Sequence, residues 1–244
     1  MIRFIVSLVL SLALFVSQAS AGFLLNSYAV KTPLVLTFLQ CSGNSAGGTS
    51  PITVSAQNVG TASSDRYTIV VVNSRDSASV YDITSLTVDG DSATEVADYG
   101  AASSTASAAI YILSNPSGTS EDVIINASEI IASVSVCIWS VTGLQSATAA
   151  DTATGGSSTN AAISLNIDLP DGGFGVAGCG ASVSSTQSVT WTGFNEVHDV
   201  WSLTPANLLS TAAEYTATTA ETNKSVSADT SGSGQTGCAA ASFR

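Results

Sequence analysis

His198 is the only histidine in the chain, so any Ser-His-Asp or Cys-His nucleophile system would have to run through it. It stands in Asn195-Glu196-Val197-His198-Asp199, beside a carboxylate and in a serine-rich chain. Val197 and Asp199 alternate about the ring as residues of a surface strand do. The preferred reading is a solvated or hydrogen-bonded strand histidine, and no residue is assigned as catalytic. Glycoside hydrolysis would need two carboxyl groups about 5 Å or about 6.5–9.5 Å apart. Glu121-Asp122, Glu196 with Asp199, and Asp168 with Asp171 are the candidate pairs, and each falls at a strand end or turn where acids are ordinary. Asp89-Gly90-Asp91 and Asp168-Leu169-Pro170-Asp171 resemble fragments of calcium loops, but neither continues into the full D-x-D-x-D-G pattern. Turns held by Asp side chains explain them, so no metal and no cofactor is expected.

Four cysteines, Cys41, Cys137, Cys179 and Cys238, form an even set that suits disulfides in an exported chain. They contain no C-x-x-C and share a single histidine, which does not resemble a zinc site. Three pairings are open, and buried free thiols are the alternative. Trp191, Trp201 and Tyr215 are the candidate binding residues, because exposed rings on a rigid sheet can stack on sugar faces; core packing is the competing role.

These groups have to be positioned by strands. Ala132 to Gly143 alternates Val134, Val136 and Ile138 on one face with Cys137, Trp139 and Val141 on the other. A β-branched run that is apolar on both faces belongs near the middle of a sheet. Short alternating segments recur from Pro51 onward at the spacing of an all-β sandwich, including Arg66 to Asn73, Ala106 to Leu113 and Ala161 to Leu169. Asp89-Gly90 between two alternating runs predicts a tight hairpin turn. Gly155 to Ser158 reads as a flexible point, and the glycines of Phe174 to Ser182 predict close packing against bulky neighbours. Ala239-Ala240-Ala241 has helical propensity, but the flanking residues and the nearby terminus favour a strand. No repeat of fixed period is evident.

Residues 1–21 read as a signal peptide. Arg3 precedes the apolar run Phe4 to Val16, and Ala19-Ser20-Ala21 fits the small-x-small cleavage rule. The run is shorter than the roughly 20 residues of a membrane span, so no membrane association is expected after cleavage. Residues 22–50 are expected to form an N-terminal extension and linker, and 51–244 a β-sandwich domain. The chain has 18 acidic and 6 basic residues, a formal charge of −12, with the cations scattered singly. Binding to a phosphate backbone needs clustered Lys and Arg, so nucleic acid is excluded as a partner.

The segment Asn58 to Val72, the hairpin Leu86 to Thr94, Trp139-Ser140-Val141-Thr142-Gly143-Leu144, Val189-Thr190-Trp191-Thr192-Gly193-Phe194 and the closing Ala239 to Arg244 carry a resemblance. Together they resemble β-rich tail, decoration or fibre-type structural proteins of tailed phages and prophages, over about Pro51 to Arg244. The resemblance implies a non-enzymatic virion-surface module and transfers no functional residues; the export signal departs from it. The expectation is therefore an all-β, antiparallel, jelly-roll-like sandwich behind an N-terminal signal-peptide helix, secreted or on a virion surface. It would act through contacts with other copies of itself or with virion or cell-surface proteins. A secreted carbohydrate-binding module that recognises glycans is the alternative, and a hydrolase ranks third.

Overall fold

The computed structural model describes residues 32–42, 45–76, 81–100, 106–115, 117–159, 161–183, 187–202, 207–230 and 234–244. The expected signal peptide, 1–21, lies outside them. All regular structure among the described residues is strand, and every pairing is antiparallel. Among them no helix is long and apolar enough to cross a membrane.

Four sheets stack in layers. The first is built on β4 (Tyr67–Arg75), β8 (Ala106–Ser114) and β10 (Ile131–Thr142), with β7 (Thr94–Asp98) on one edge and β1 (Val35–Cys41) on the other. Strand β2 (Ser45–Gly48) continues along the β1 edge, because it too pairs with β10. Val35–Cys41 and Ser45–Gly48, within the expected extension and linker, therefore pair into this sheet. The second sheet runs β3 (Ile52–Asn58), β9 (Ser120–Ala127), β5 (Ile83–Val88) and the two-residue β6 (Asp91–Ser92). The third runs β11 (Asp151–Ser157), β18 (Gly234–Phe243), β13 (Phe174–Val183), β16 (Leu208–Thr216) and β15 (Asn195–Ser202). The fourth is β12 (Ile163–Leu169), β17 (Glu221–Thr230) and β14 (Val189–Thr192).

Apolar alternation decides which layers touch. Val70 and Val72 of β4, with Val134, Val136 and Ile138 of β10, meet Ile83 and Leu86 of β5 and Val123 and Ile125 of β9 between the first and second sheets. The opposite faces of the same strands carry Ile69, Val71, Ile110, Trp139 and Val141, which meet Phe174, Val176, Ala239, Ala241 and Phe243 of the third sheet. Cys179, Leu209 and Ala240 on that sheet's far face pack on Leu165, Ile167 and Val226 of the fourth. Each fully buried Val, Ile, Leu or Phe contributes about 1.5–3 kcal/mol, so all three layers of side chains are substantial cores. The described strands form two face-to-face sheet pairs, joined by a third apolar layer.

The two pairs share one plan. The order β1-β10-β4-β8-β7 facing β3-β9-β5 in the first half is repeated strand for strand as β11-β18-β13-β16-β15 facing β12-β17-β14. Strand β6 pairs with β5 and β7 with β8, so one bent segment serves both sheets of the first half. The turn before it, Asp89-Gly90, has positive φ at both residues (52° and 88°), as a tight two-residue hairpin turn requires. Gly155 to Ser158, read as a flexible point, lies largely in β11, whose every residue pairs with β18.

The third sheet approaches the first on small residues. Gly180 of β13 lies over the β4–β8 pair Ser74 and Ser107, where an added Cβ would stand 2.5 Å from the Ser107 carbonyl oxygen. Its cross-strand partner Gly237 is as confined, with Ala106 O 2.6 Å from such a Cβ. Asn73 closes the same end of the layer, donating from Nδ2 to Ser210 Oγ at 2.9 Å and to Thr211 O at 3.0 Å.

Candidate functional site

The cysteines pair as Cys41–Cys137 and Cys179–Cys238. In both cases the partners stand directly opposite each other on neighbouring antiparallel strands. Their settings differ. Cys179 and Cys238 are both fully buried, in the core between the third and fourth sheets. Cys137 lies in the layer between the halves, and its partner Cys41 is half-buried on edge strand β1.

His198 reaches this second setting from the other half. A register shift between Glu196 and His198 sets the ring opposite Ala212 of β16, a residue of the layer between the halves. Directly opposed residues on antiparallel strands point to the same face, so the imidazole is turned toward the first sheet. A ring nitrogen of His198 and the sulfurs of Cys41 and Cys137 all lie within 4.8 Å of one another. His198 Nε2 is enclosed and has no hydrogen-bond partner. Burial lowers the pKa of the ring and favours the neutral imidazole.

The neighbouring acids do not complete a catalytic relay. Asp199 stands opposite Thr211 and accepts from Val189 N at 2.9 Å. Thr211 Oγ1 in turn donates to His198 O and accepts from Trp191 Nε1. Burial raises the Asp199 carboxyl, and burial followed by the Asp199 charge raises Glu196. Of the other acid pairs, Glu121 accepts from Asn115 Nδ2 and Asp122 from the backbone of Ala56. Asp168 accepts from Asn223 N. These are structural duties at strand ends.

A separate acidic group was not anticipated. Asp98, on β7, is raised to about 8, first by burial and then by a hydrogen bond to Asp82 and the charges of Asp82 and Glu95. The Tyr111 hydroxyl donates its one proton to Ile83 O at 3.0 Å or, alternatively, to Glu95 Oε2 at 3.3 Å. Burial also raises its phenol. Glu95 and Asp98 lie on β7 and Tyr111 opposite Glu95 on β8, while Asp82 immediately precedes β5 of the second sheet, so packing between sheets completes the group.

The aromatic candidates all pack against one core. Trp191 is buried, and Trp201 and Tyr215 are half-buried against the same core between the third and fourth sheets. Tyr215 stacks on Phe194 with centroids 5.8 Å apart, carries Lys224 over its ring and donates to Glu221. Their apolar faces are consumed by packing. An open groove of about 490 Å³ between β1 and the loop after β3 is lined by Val35, Thr37, Leu39, Asn58, Ser63 and Ser140 among others, with no titratable side chain.

Comparison with protein-family models, curated proteins and solved structures finds no match. Function must therefore be argued from the geometry. The groups that share one place are the Cys41–Cys137 disulfide and His198, where the two halves meet.

Proposed function

We propose that the chain is a non-enzymatic structural or adhesive module of a virion or cell surface, each half a jelly-roll β-sandwich, acting through surface contacts. The observation that supports this best is the repeated strand order with the halves locked together by a shared apolar layer. Counting β6 and β7 as one bent strand and β2 as an edge addition, each half has eight strands. In each, strands 1, 8, 3, 6 and 5 form one sheet in that order and 2, 7 and 4 the other, an order that supports the jelly-roll reading. That architecture serves capsid and lectin domains, where shape and contact are the function.

Two disulfides suit an oxidising, extracellular setting. The net negative charge keeps free copies apart until specific contacts form. The carbohydrate-binding alternative draws less support, because Trp191 is buried and Trp201 and Tyr215 pack, half-buried, against the same core.

The test is immunogold labelling and quantitative proteomics of purified virions and of washed cell surfaces, using antibodies to the folded protein. Enrichment at regular positions on either particle is the expected result. Recovery of only soluble, unassembled protein overturns the proposal.

A further inference from the structure

We propose that opening the Cys41–Cys137 disulfide creates a zinc site, made by the two cysteine sulfurs and the imidazole of His198 across the junction of the two halves. This goes beyond the structural role above and does not depend on it. Local sequence excluded zinc for want of a C-x-x-C, but the fold supplies the missing proximity: three soft or borderline donors lie within 4.8 Å of one another. Zn²⁺ takes thiolate at about 2.3 Å and imidazole at about 2.0–2.1 Å, so bound donors sit roughly 3.5–4 Å apart. The His198 nitrogen lies no more than 4.8 Å from either sulfur, so a small approach of the ring and the parting of the sulfurs would complete the set.

The site is built to accept an ion once the bond opens. His198 Nε2 is enclosed without a partner, a cost that coordination or a water would relieve. Cys41 sits on edge strand β1, which is held on one side only, by β10. That edge can yield without disturbing β4 or β8. The other disulfide offers no such opening, since Cys179 and Cys238 lie on β13 and β18 inside the third sheet and both are fully buried.

The chemistry balances with an external thiol pair as reductant. Two thiols give two electrons and two protons to the disulfide and leave as their own disulfide, and Cys41 and Cys137 become thiols. Zn²⁺ then displaces both thiol protons to solvent, and neutral His198 donates a nitrogen lone pair. Three protein donors leave the fourth tetrahedral position for water.

The whole folded protein is treated with dithiothreitol under native conditions and desalted without air, and the opened cysteines are mapped by differential alkylation. Zn²⁺ is then titrated against a chromophoric chelator. The expected result is selective opening of Cys41–Cys137 and uptake of one equivalent by reduced protein, with none by the oxidised form. His198→Ala, which keeps both disulfides for folding, should weaken uptake by more than about tenfold, the loss that even an outer-shell partner causes. Co²⁺ should give a thiolate charge-transfer band in reduced wild type, and removing the His198 ligand should shift it. Earlier opening of Cys179–Cys238, no uptake beyond that of Cys41→Ser/Cys137→Ser, or equal affinity and an unshifted band in His198→Ala would each overturn the proposal.

Discussion

Gly180→Ala adds one methyl group where β13 of one half lies directly against the backbone of β4 and β8 of the other. Its Cβ would lie 2.5 Å from Ser107 O, 3.0 Å from Ser74 O and 3.2 Å from Ser74 N. All three are backbone atoms of paired strands, so none can rotate away as a side chain would. Relief requires the first and third sheets to separate locally, loosening the contacts of Val71 and Asn73 around Gly178 and those of Ala106 and Ser107 around Gly237. Overpacking of this kind costs about 1–3 kcal/mol. Against it stands a gain of about 0.4–1 kcal/mol, because Ala has fewer unfolded conformations than Gly. With three rigid neighbours the upper half of the penalty applies, and the net loss is about 2 kcal/mol. In a domain of this size each kcal/mol shifts Tm by about 2–4 °C, so Tm should fall by about 4–8 °C. Differential scanning calorimetry of oxidised protein measures it, with Gly48→Ala as the control because nothing lies within 4 Å of that added Cβ. A Gly180→Ala protein that melts with the control, or above it, refutes the close approach of the sheets.

Arg66 is fully buried and donates to the carbonyls of Gly60, Asn115, Ser117 and Gly118, so Arg66→Met should lower stability by about 3 kcal/mol or more, read from the urea midpoint. Asp98 holds its proton to about pH 8 when folded but to about pH 4 when unfolded. The folded state therefore binds more protons between those values, and its stability falls as pH rises through the window. Asp98→Asn should raise Tm at pH 8 and flatten the Tm–pH curve, whereas an unchanged slope would show that Asp98 ionises normally. Replacing Cys179 and Cys238 together by Ala opens a closure of 59 residues, which costs about 4 kcal/mol by chain entropy, and the 96-residue closure of Cys41–Cys137 costs nearly 5 kcal/mol. Chemical denaturation of each double variant tests both values. Trp191→Phe loses the hydrogen bond to Thr211 Oγ1 and should cost about 1 kcal/mol, measured by thermal melting, and leave a glycan-array profile unchanged.

Local alternation carried the strand readings. Ala132 to Gly143 was legible as a central strand because both of its faces are apolar, and β10 indeed lies between β1 and β4 with a core on each side. Ile163–Leu169 alternates buried and exposed residues along its whole length, as its apolar and polar side chains require. Ala239-Ala240-Ala241 is strand despite its propensity, because β13 and β11 pair with it on both sides.

What was not legible depends on contacts between distant strands. The two halves match in strand order, whereas a period search reads residue identity. The cysteine pairing follows from register, which places Cys41 opposite Cys137 and Cys179 opposite Cys238. His198 meets the first of these bridges only because β15 and β1 lie on facing sheets, a relation that no spacing along the chain encodes. Trp201 and Tyr215 looked available because nothing local shows that the fourth sheet covers them.

The shared apolar layer between the halves has a kinetic consequence. Two separate copies of such an eight-stranded unit would have to find each other by diffusion, and their association would weaken on dilution. One continuous chain joins β10 to β11 through a short connection, so the same contact forms as an intramolecular event at an effective concentration set by the tether. Pairing of the halves is thereby independent of how much protein is present, and a single chain at extreme dilution keeps it.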